Sequence, residues 1–191
     1  PKEWFRAWVQ VFEQRNTEPE RVRGIKMILW HQTCQVMSGR SHHHEGFNLS
    51  APQPVSIYRR EHTYTDKSIP QEVKIKLMKI DCLEAAQALH GVGFTHVAVL
   101  CMSNANKPGG HVKQGADSQE EDIFRRTDMG RHTTQYLGSE SYPLSEAHQT
   151  VMEQKGVTIM RGTEPEGYPF PTDVPAPITV ISAAVTQTTK T

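Results

Sequence analysis

The chain has 191 residues, and its 21 Lys and Arg are balanced by 21 Asp and Glu, so its formal net charge is zero. This length is enough for one good-sized core. A neutral balance argues against general electrostatic binding to nucleic acid or to anionic lipid. The sequence shows no signal segment and no long apolar span, so we expect a soluble intracellular protein, cytoplasmic or nuclear, without a membrane partner. Its three cysteines, Cys34, Cys82 and Cys101, fall in apolar stretches and are expected to be buried reduced thiols.

The N-terminal part of the chain is predicted to be a helical extension. Apolar residues recur at helical spacing over residues 1–16, and a second helix is expected from a capping box at residues 17–20 to about Met37. These helices carry the tryptophans Trp4, Trp8 and Trp30. We expect the tryptophans to pack the helices onto the core, and a groove for a partner protein is the alternative.

A loop is expected over residues 40–54, and it contains His42-His43-His44-Glu45. Consecutive residues rarely converge on one ion, and the usual zinc spacings are missing. We therefore expect a mobile or tag-like loop here rather than a metal site, and no metal or other cofactor elsewhere.

Strands and helices alternate through the rest of the chain, which predicts an α/β fold of three layers. Strands are expected at residues 55–58, 72–80, 96–102, 157–160 and 178–185, and helices at 83–90, 119–127 and 144–153. Asp81 is a natural N-cap for the first of these helices, and Gly91 ends it. The continuous apolar run at 96–102 predicts a strand that is covered on both faces. Residues 136–143 and the Pro-rich residues 164–177 are expected to be irregular.

The most informative segment, NANKPGGHVKQGADSQEE, spans residues 104–121 and follows the apolar strand directly. Gly109 and Gly110 have no Cβ, so their backbone amides can adopt left-handed conformations and approach a ligand closely. Successive amides of this kind form an anion-binding nest, and the N-terminus of the next helix adds unpaired N–H groups. Taken alone, a Pro-Gly-Gly turn and a pair of glutamates at a helix start are common structural features.

Their combination is more specific, because an apolar strand, Asn104, Pro108-Gly109-Gly110 and Gln119-Glu120-Glu121 follow one another. This arrangement resembles the signature of microbial-type poly(ADP-ribose) glycohydrolases, over roughly residues 54–185. The resemblance implies a three-layer α/β/α macrodomain-like mixed sheet with an N-terminal helical extension. It divides the chain into the extension and its loop at residues 1–50 and a core at residues 51–191, from which we expect the C-terminal part of the family's fold to be missing.

The resemblance also implies roles for the residues of this segment. Glu121 would be the general acid and Glu120 would bind ribose hydroxyls, because successive helix residues point about 100° apart and cannot do the same work. Gln119 would orient the turn and Asn104 would contact the ribose. The residues expected to bind ADP-ribose near its diphosphate are Pro108, Gly109, Gly110, His111 and Val112. Since a helix N-terminus favours a carboxylate, we expect Glu121 to be protonated chiefly when substrate is bound.

Three departures from the family pattern bear on this interpretation. His111 stands in place of a third glycine, where its ring could narrow the diphosphate path or donate a hydrogen bond to it. Cys101 stands where the family usually has Asn, and a structural thiol is favoured there over a reactive one. The family's second glycine-rich loop has no counterpart before Thr191.

Two functions follow from the resemblance. The first is a glycohydrolase that releases ADP-ribose from poly(ADP-ribose) or from ADP-ribosylated protein, with Glu121 as the general acid. The alternative is a non-catalytic ADP-ribose-binding macrodomain module. For either function we expect no direct nucleic-acid binding, and a local basic groove around the acids could come from Lys107, Lys113, Arg125 and Arg126.

Overall fold

The computed structural model describes residues 8–11, 13, 18–40, 49–59, 73–136, 142, 144, 150–173 and 175–184. Its helices are α1 (Pro19–Met37), α2 (Cys82–Gly91), α3 (Gln119–Arg126) and α4 (Met129–Tyr136). Its strands are β1 (Ser56–Tyr58), β2 (Ala98–Ser103), β3 (Val151–Val157) and β4 (Ile178–Ala184). Residues 8–11 and 13 are also helical, and a short 3-10 turn covers Val112–Gln114.

The strands form one mixed sheet in the order β1-β3-β4-β2. The pair β2 and β4 is parallel, while β1 with β3 and β3 with β4 are antiparallel. The predicted α/β class is therefore confirmed. At the end of the parallel pair, Ser103 of β2 lies beside Ala184 of β4. The loop that contains the glycine turn begins at this end of the sheet.

The core lies on one face of this sheet, where side chains from α2, α3 and α4 meet those of the strands. Along β2 the burial alternates: Val99 and Cys101 are buried, while Leu100 and Met102 are 59% and 55% exposed. The prediction that β2 is covered on both faces is therefore wrong within the described residues, because the helices described here pack on only one of its faces.

The N-terminal helical residues pack onto this core through their tryptophans. The buried Trp8 ring meets Tyr168 edge-on at 5.5 Å between centroids, and its indole N–H donates to the Glu164 carbonyl at 2.8 Å. Trp30 of α1 lies 6.2 Å from the ring of Phe124 in α3. The expected packing is confirmed for Trp8 and Trp30, whereas Trp4 lies outside the described residues.

N-capping residues were predicted for two helices, α1 and α2, and the structure confirms the one for α2. The Asp81 carboxylate accepts hydrogen bonds from the amides of Leu83 (3.0 Å) and Glu84 (3.1 Å), so the predicted N-cap of α2 is confirmed. The N-cap of α1 is Glu18, whose side chain makes no capping bond. The capping box predicted there depended on Thr17, which lies outside the described residues.

The strand predicted at residues 72–80 is wrong, because residues 73–80 form no strand. Val73, Ile75 and Leu77 alternate with lysines as a strand would require, but they are 70%, 93% and 99% exposed. Alternation makes a segment compatible with a sheet, but a strand also needs a neighbouring backbone to pair with. No strand in the described part of the chain pairs with this segment.

The helix predicted at residues 144–153 is also wrong where the structure describes it, because β3 begins at Val151. Met152 and Gln154 are buried with period two, and they pair with Ser182 and Val180 of β4. The strand predicted at 157–160 is mostly misplaced, since β3 ends at Val157 and Ile159 forms only an isolated bridge with Thr127. Helix α4 was not predicted.

The histidine run at residues 42–45 lies outside the described residues. Among the residues that are described, no three metal-binding side chains are grouped to hold an ion. None of the described helices is long and apolar enough to cross a membrane.

Candidate active site

The acidic pair begins α3 and is buried rather than solvated. Ser118 is the N-cap residue, with φ −124° and ψ 174°, and Gln119 is the first helical residue. Glu120 is 2% exposed and Glu121 is 6% exposed. Buried carboxylates are rare unless they are paired or hydrogen-bonded, so their partners show how the site is built.

Glu120 is held by two backbone amides from the preceding loop. Its Oε1 accepts the N–H of Gly109 at 3.0 Å, and its Oε2 accepts the N–H of Asn104 at 2.7 Å. Burial, and to a smaller extent the negative charge of Glu121, raise the pKa of Glu120 to about 7 against the lowering effect of these two hydrogen bonds. This carboxyl group therefore titrates near neutral pH.

Glu121 has a different set of partners. Its Oε1 accepts the N–H of His111 at 3.0 Å, and its Oε2 accepts the hydroxyl hydrogen of Ser118. Ser118 and Glu121 occupy the two positions of a Ser-x-x-Glu capping box, yet the serine side chain caps no backbone N–H of α3. The hydroxyl instead holds the carboxylate of the residue predicted to be the general acid.

The glycine turn fits against α3 only because Gly109 and Gly110 lack side chains. Gly109 and Gly110 have φ of 70° and 47°, in the left-handed region. A Cβ on Gly109 would lie 2.8 Å from the ring of Phe124, and one on Gly110 would lie 2.5 Å from Glu121 Oε1. The amides of Gly109 and His111 face the two carboxylates, and their predicted contact with a diphosphate stays a prediction.

Gln119 connects the start of α3 to the outer edge of β2. Its side-chain N–H donates to the Leu100 carbonyl at 3.0 Å, and its Oε1 accepts the Met102 N–H at 3.1 Å. A single side-chain amide thus makes the two bonds that a neighbouring strand would make. This contact fixes the register between β2 and the helix that carries the glutamates.

The remaining predicted ligand-binding residues are placed differently from one another. Asn104 is half-buried, and its Oδ1 accepts the amides of Asn106 (2.8 Å) and Lys107 (3.2 Å), which shapes the loop. Pro108 and His111 are exposed. Val112 is 4% exposed and packs in the core, so its side chain is directed away from solvent.

The predicted basic groove is wrong for its two arginines, because both are buried and paired with aspartates. Arg125 lies 3.5 Å from Asp117, and Arg126 lies 3.0 Å from Asp81 and 2.9 Å from Asp122. A buried guanidinium needs such partners, since an unpaired charge in the interior is costly. Only Lys107 and Lys113 of the proposed groove are exposed.

Helix α1 braces the loop that joins the glycine turn to the glutamates. Lys26 is 1% exposed, and its ammonium group lies 2.6 Å from Asp117 and 2.8 Å from Glu164. The hydroxyl of Thr33 donates to the carbonyl of Arg125 in α3 at 2.8 Å. The acids are thus held from the N-terminal helix as well as from the sheet.

Ser118 and Tyr142 were not predicted from the sequence to belong to the site, and Cys101 was predicted to have a structural role. Ser118 could have been found, because Ser-x-x-Glu shortly before the apolar pair Ile123-Phe124 is a readable pattern. Burial raises the pKa of the Tyr142 phenol, and the charge of Glu120 raises it further, so the two groups interact electrostatically. No local pattern around Tyr142 indicated this. Cys101 is fully buried, and burial raises its thiol pKa to about 12, which argues against a reactive thiol.

Comparison with known proteins gives a consistent answer. The family model described as "Microbial-type PARG, catalytic domain" matches residues 27–159. The structure is similar to that of poly(ADP-ribose) glycohydrolase from Thermomonospora curvata, with a TM-score of 0.61, 17% identity and coverage of 85% of this chain and 64% of that one. The same enzyme bound to the inhibitor ADP-HPD matches with a TM-score of 0.59, 18% identity, and coverage of 85% and 63%. No curated protein matches the chain.

A poly(ADP-ribose) glycohydrolase from Deinococcus radiodurans in complex with ADP-ribose matches with a TM-score of 0.46 and 22% identity, over 55% of this chain and 41% of that one. The likeness to the Thermomonospora curvata structures shows the fold, and the predicted macrodomain-like α/β fold is confirmed. This chain spans 64% of the length of the first of those structures.

Proposed function

The chain belongs to the family of microbial-type poly(ADP-ribose) glycohydrolase catalytic domains, and from this premise we propose that it hydrolyses the glycosidic bond of ADP-ribose units. Its substrate would be poly(ADP-ribose) or ADP-ribosylated protein. The free thiols Cys34, Cys82 and Cys101 support a reducing compartment, so the reaction would take place in the cytoplasm or nucleus.

One observation carries this proposal: two adjacent buried carboxylates are held by separate sets of donors next to a glycine turn. Glu120 accepts from the amides of Asn104 and Gly109, while Glu121 accepts from His111 and Ser118. Glycosidic hydrolysis needs carboxyl groups in distinct roles near one anomeric carbon. Two acids with different surroundings are the feature expected of such a site.

In the proposed reaction Glu121 delivers a proton to the leaving oxygen as the bond between that oxygen and the anomeric carbon breaks. Water adds to the carbon, and the proton that the water loses restores the acid. Glu120 would bind the ribose hydroxyls and oppose the positive charge that develops on the sugar. Both groups that contact the Glu121 carboxylate, the His111 amide and the Ser118 hydroxyl, donate hydrogen bonds to it.

The other residues of the site would orient these two acids and the substrate. Gln119 would fix the start of α3 against β2, Asn104 would contact the ribose, and Gly110 would leave room for the Glu121 carboxylate. The division into an extension at residues 1–50 and a core at 51–191 is likewise a proposal. Because Trp30 and Thr33 of α1 contact α3, the two parts would fold together.

A non-catalytic ADP-ribose-binding module is the alternative function. His111 in place of glycine and the engagement of the turn amides by the protein's own carboxylates favour it. The burial of both glutamates favours the enzyme, because a module that only binds would not need two carboxylates out of water.

The experiment that separates these functions is incubation of the protein with poly(ADP-ribose) and with mono-ADP-ribosylated protein, followed by chromatography of released ADP-ribose. The proposal predicts release by the wild type and a loss of about 10²–10⁴-fold in Glu121→Gln. Calorimetry should show that Glu121→Gln still binds ADP-ribose. Binding without release by the wild type would establish the alternative, and release that survives Glu121→Gln would remove that residue from the mechanism.

A further inference from the structure

The backbone amides of the glycine turn are already engaged within the protein. The N–H groups of residues 109–112 all donate to protein acceptors, which are in order Glu120 Oε1, the Lys107 carbonyl, Glu121 Oε1 and the Gly109 carbonyl. An anion that used these amides would have to displace both buried carboxylates. A diphosphate bound at this turn therefore needs other donors.

Two side chains on the exposed side of the same turn supply them. The Nζ atom of Lys107 lies 3.4 Å from Nδ1 of His111, and both side chains are exposed. In the part of the chain that the structure describes, neither forms an ion pair with a carboxylate. The pair is thus a concentration of positive charge and donors that the protein does not neutralise itself.

The contact also indicates which ring nitrogen of His111 accepts a hydrogen bond. An ammonium group can only donate, so Nδ1 of His111 must accept, and the ring proton is then on Nε2. Lys107 retains two further N–H donors, and His111 presents an Nε2–H donor. Three donors next to a compact positive charge suit the oxygens of a phosphate group, for which lysine is a common ligand.

We propose that Lys107 and His111 form a side-chain clamp for the diphosphate of ADP-ribose, in place of the turn amides. This inference rests on the proposed function for the identity of the ligand. The opposite faces of one turn would then have separate tasks: its amides hold Glu120 and Glu121, and its side chains hold the substrate. His111 would be a binding residue rather than an obstruction.

The test is calorimetric titration of the full chain with ADP-ribose and, separately, with inorganic pyrophosphate. Lys107→Ala and His111→Ala should each weaken binding of both probes by about 5–20-fold, and the double variant should lose less than the product of the two. Lys76→Ala is the control, because Lys76 is an exposed lysine outside this turn, and it should change binding less than about twofold. In an activity assay the losses should appear in KM.

Three results would overturn the clamp. Tighter binding by His111→Ala would show that the ring obstructs the ligand. An equal loss in Lys76→Ala would show that the effect is general charge attraction. Unchanged binding in Lys107→Ala and His111→Ala, in a wild type that releases ADP-ribose, would refute the clamp and leave the proposed function intact. Pyrophosphate binding that depends on both residues, in a wild type that releases nothing, would support the clamp and refute the glycohydrolase.

Discussion

The Oε1 atom of Glu121 occupies the space in which a side chain at Gly110 would lie: a Cβ there would be 2.5 Å from that oxygen. The same Cβ would be 3.3 Å from Glu120 Oε2, so both acids close around this one glycine. The turn and the helix are consequently built as a single unit. A side chain at Gly110 must therefore move the acids on the helix.

Gly110→Ala should therefore impair activity more than stability. The methyl group displaces Glu121 from its bond to His111, and misplacement by about 1 Å can cost on the order of 100-fold in rate. The positive φ of 47° adds about 1–2 kcal/mol of destabilisation. Steady-state kinetics and denaturant unfolding measure the two effects. The control is Gly91→Ala, because a Cβ at that position would meet nothing within 4 Å. If Gly110→Ala retained activity, the acids would tolerate displacement.

Ser118→Ala should lower kcat by about 10-fold with little change in stability, because the hydroxyl binds the Glu121 carboxylate and caps no amide of the helix. Ser118→Thr retains a hydroxyl and should recover most of the rate. Thermal unfolding and kinetics on the three proteins check this. A destabilisation of about 1 kcal/mol without a change in kcat is what an ordinary N-cap would give, and it would remove the functional role.

The contribution of Glu120 to the stability of the protein should fall as pH rises from about 4.5 to 7. Burial raises the pKa of Glu120 from 4.5 to about 7 in the folded state, so the folded protein binds this proton more tightly than the unfolded chain does. The stabilisation is complete below pH 4.5 and is lost as pH rises through 7, with a size on the order of 1–3 kcal/mol.

Glu120→Gln should reduce this pH dependence, as measured by urea unfolding at pH 5 and pH 8. Part of the dependence should persist, because burial also raises the pKa of Asp128, from 3.8 to about 6. An unchanged difference between the two pH values in Glu120→Gln would show that this carboxyl group titrates elsewhere.

Lys26→Met should destabilise the protein by about 1–2 kcal/mol, because it leaves Asp117 and Glu164 without their buried cation. The loss stays moderate since both carboxylates retain access to water. The comparison is Lys155→Met, which breaks an ion pair with Glu153 at the surface and should cost less than about 0.5 kcal/mol. Equal effects in urea unfolding would show that α1 does not brace the site through Lys26.

Local chemistry in the sequence predicted the parts of the site that are set by near neighbours. Asp81 capping α2, and α3 beginning at Gln119, follow from residues within one turn of the helix. The strand expected at residues 72–80 failed because pairing depends on a distant backbone that alternation does not reveal. Residues 151–153 were predicted to be helical for the same reason, since the partner of β3 is β4, which is far along the chain.

The site likewise has features that depend on distant parts of the chain and were not predicted from the sequence. The burial of both glutamates, the use of the turn amides to hold them, and the approach of Tyr142 to Glu120 all depend on tertiary packing. No spacing in the sequence encodes these relationships. The burial of Arg125 and Arg126, which were expected to line a groove, likewise depends on aspartates from other elements.

The general-acid role of Glu121 is tested most directly by changing the leaving group of the substrate. An ADP-ribose unit linked to nitrophenolate needs no proton on departure, whereas a ribose oxygen does. A general-acid role predicts that Glu121→Gln loses about 10³-fold in kcat/KM on poly(ADP-ribose) but less than about 10-fold on the nitrophenyl substrate. Equal losses on the two substrates would contradict it, because the residue would then act by some means other than protonating the leaving oxygen.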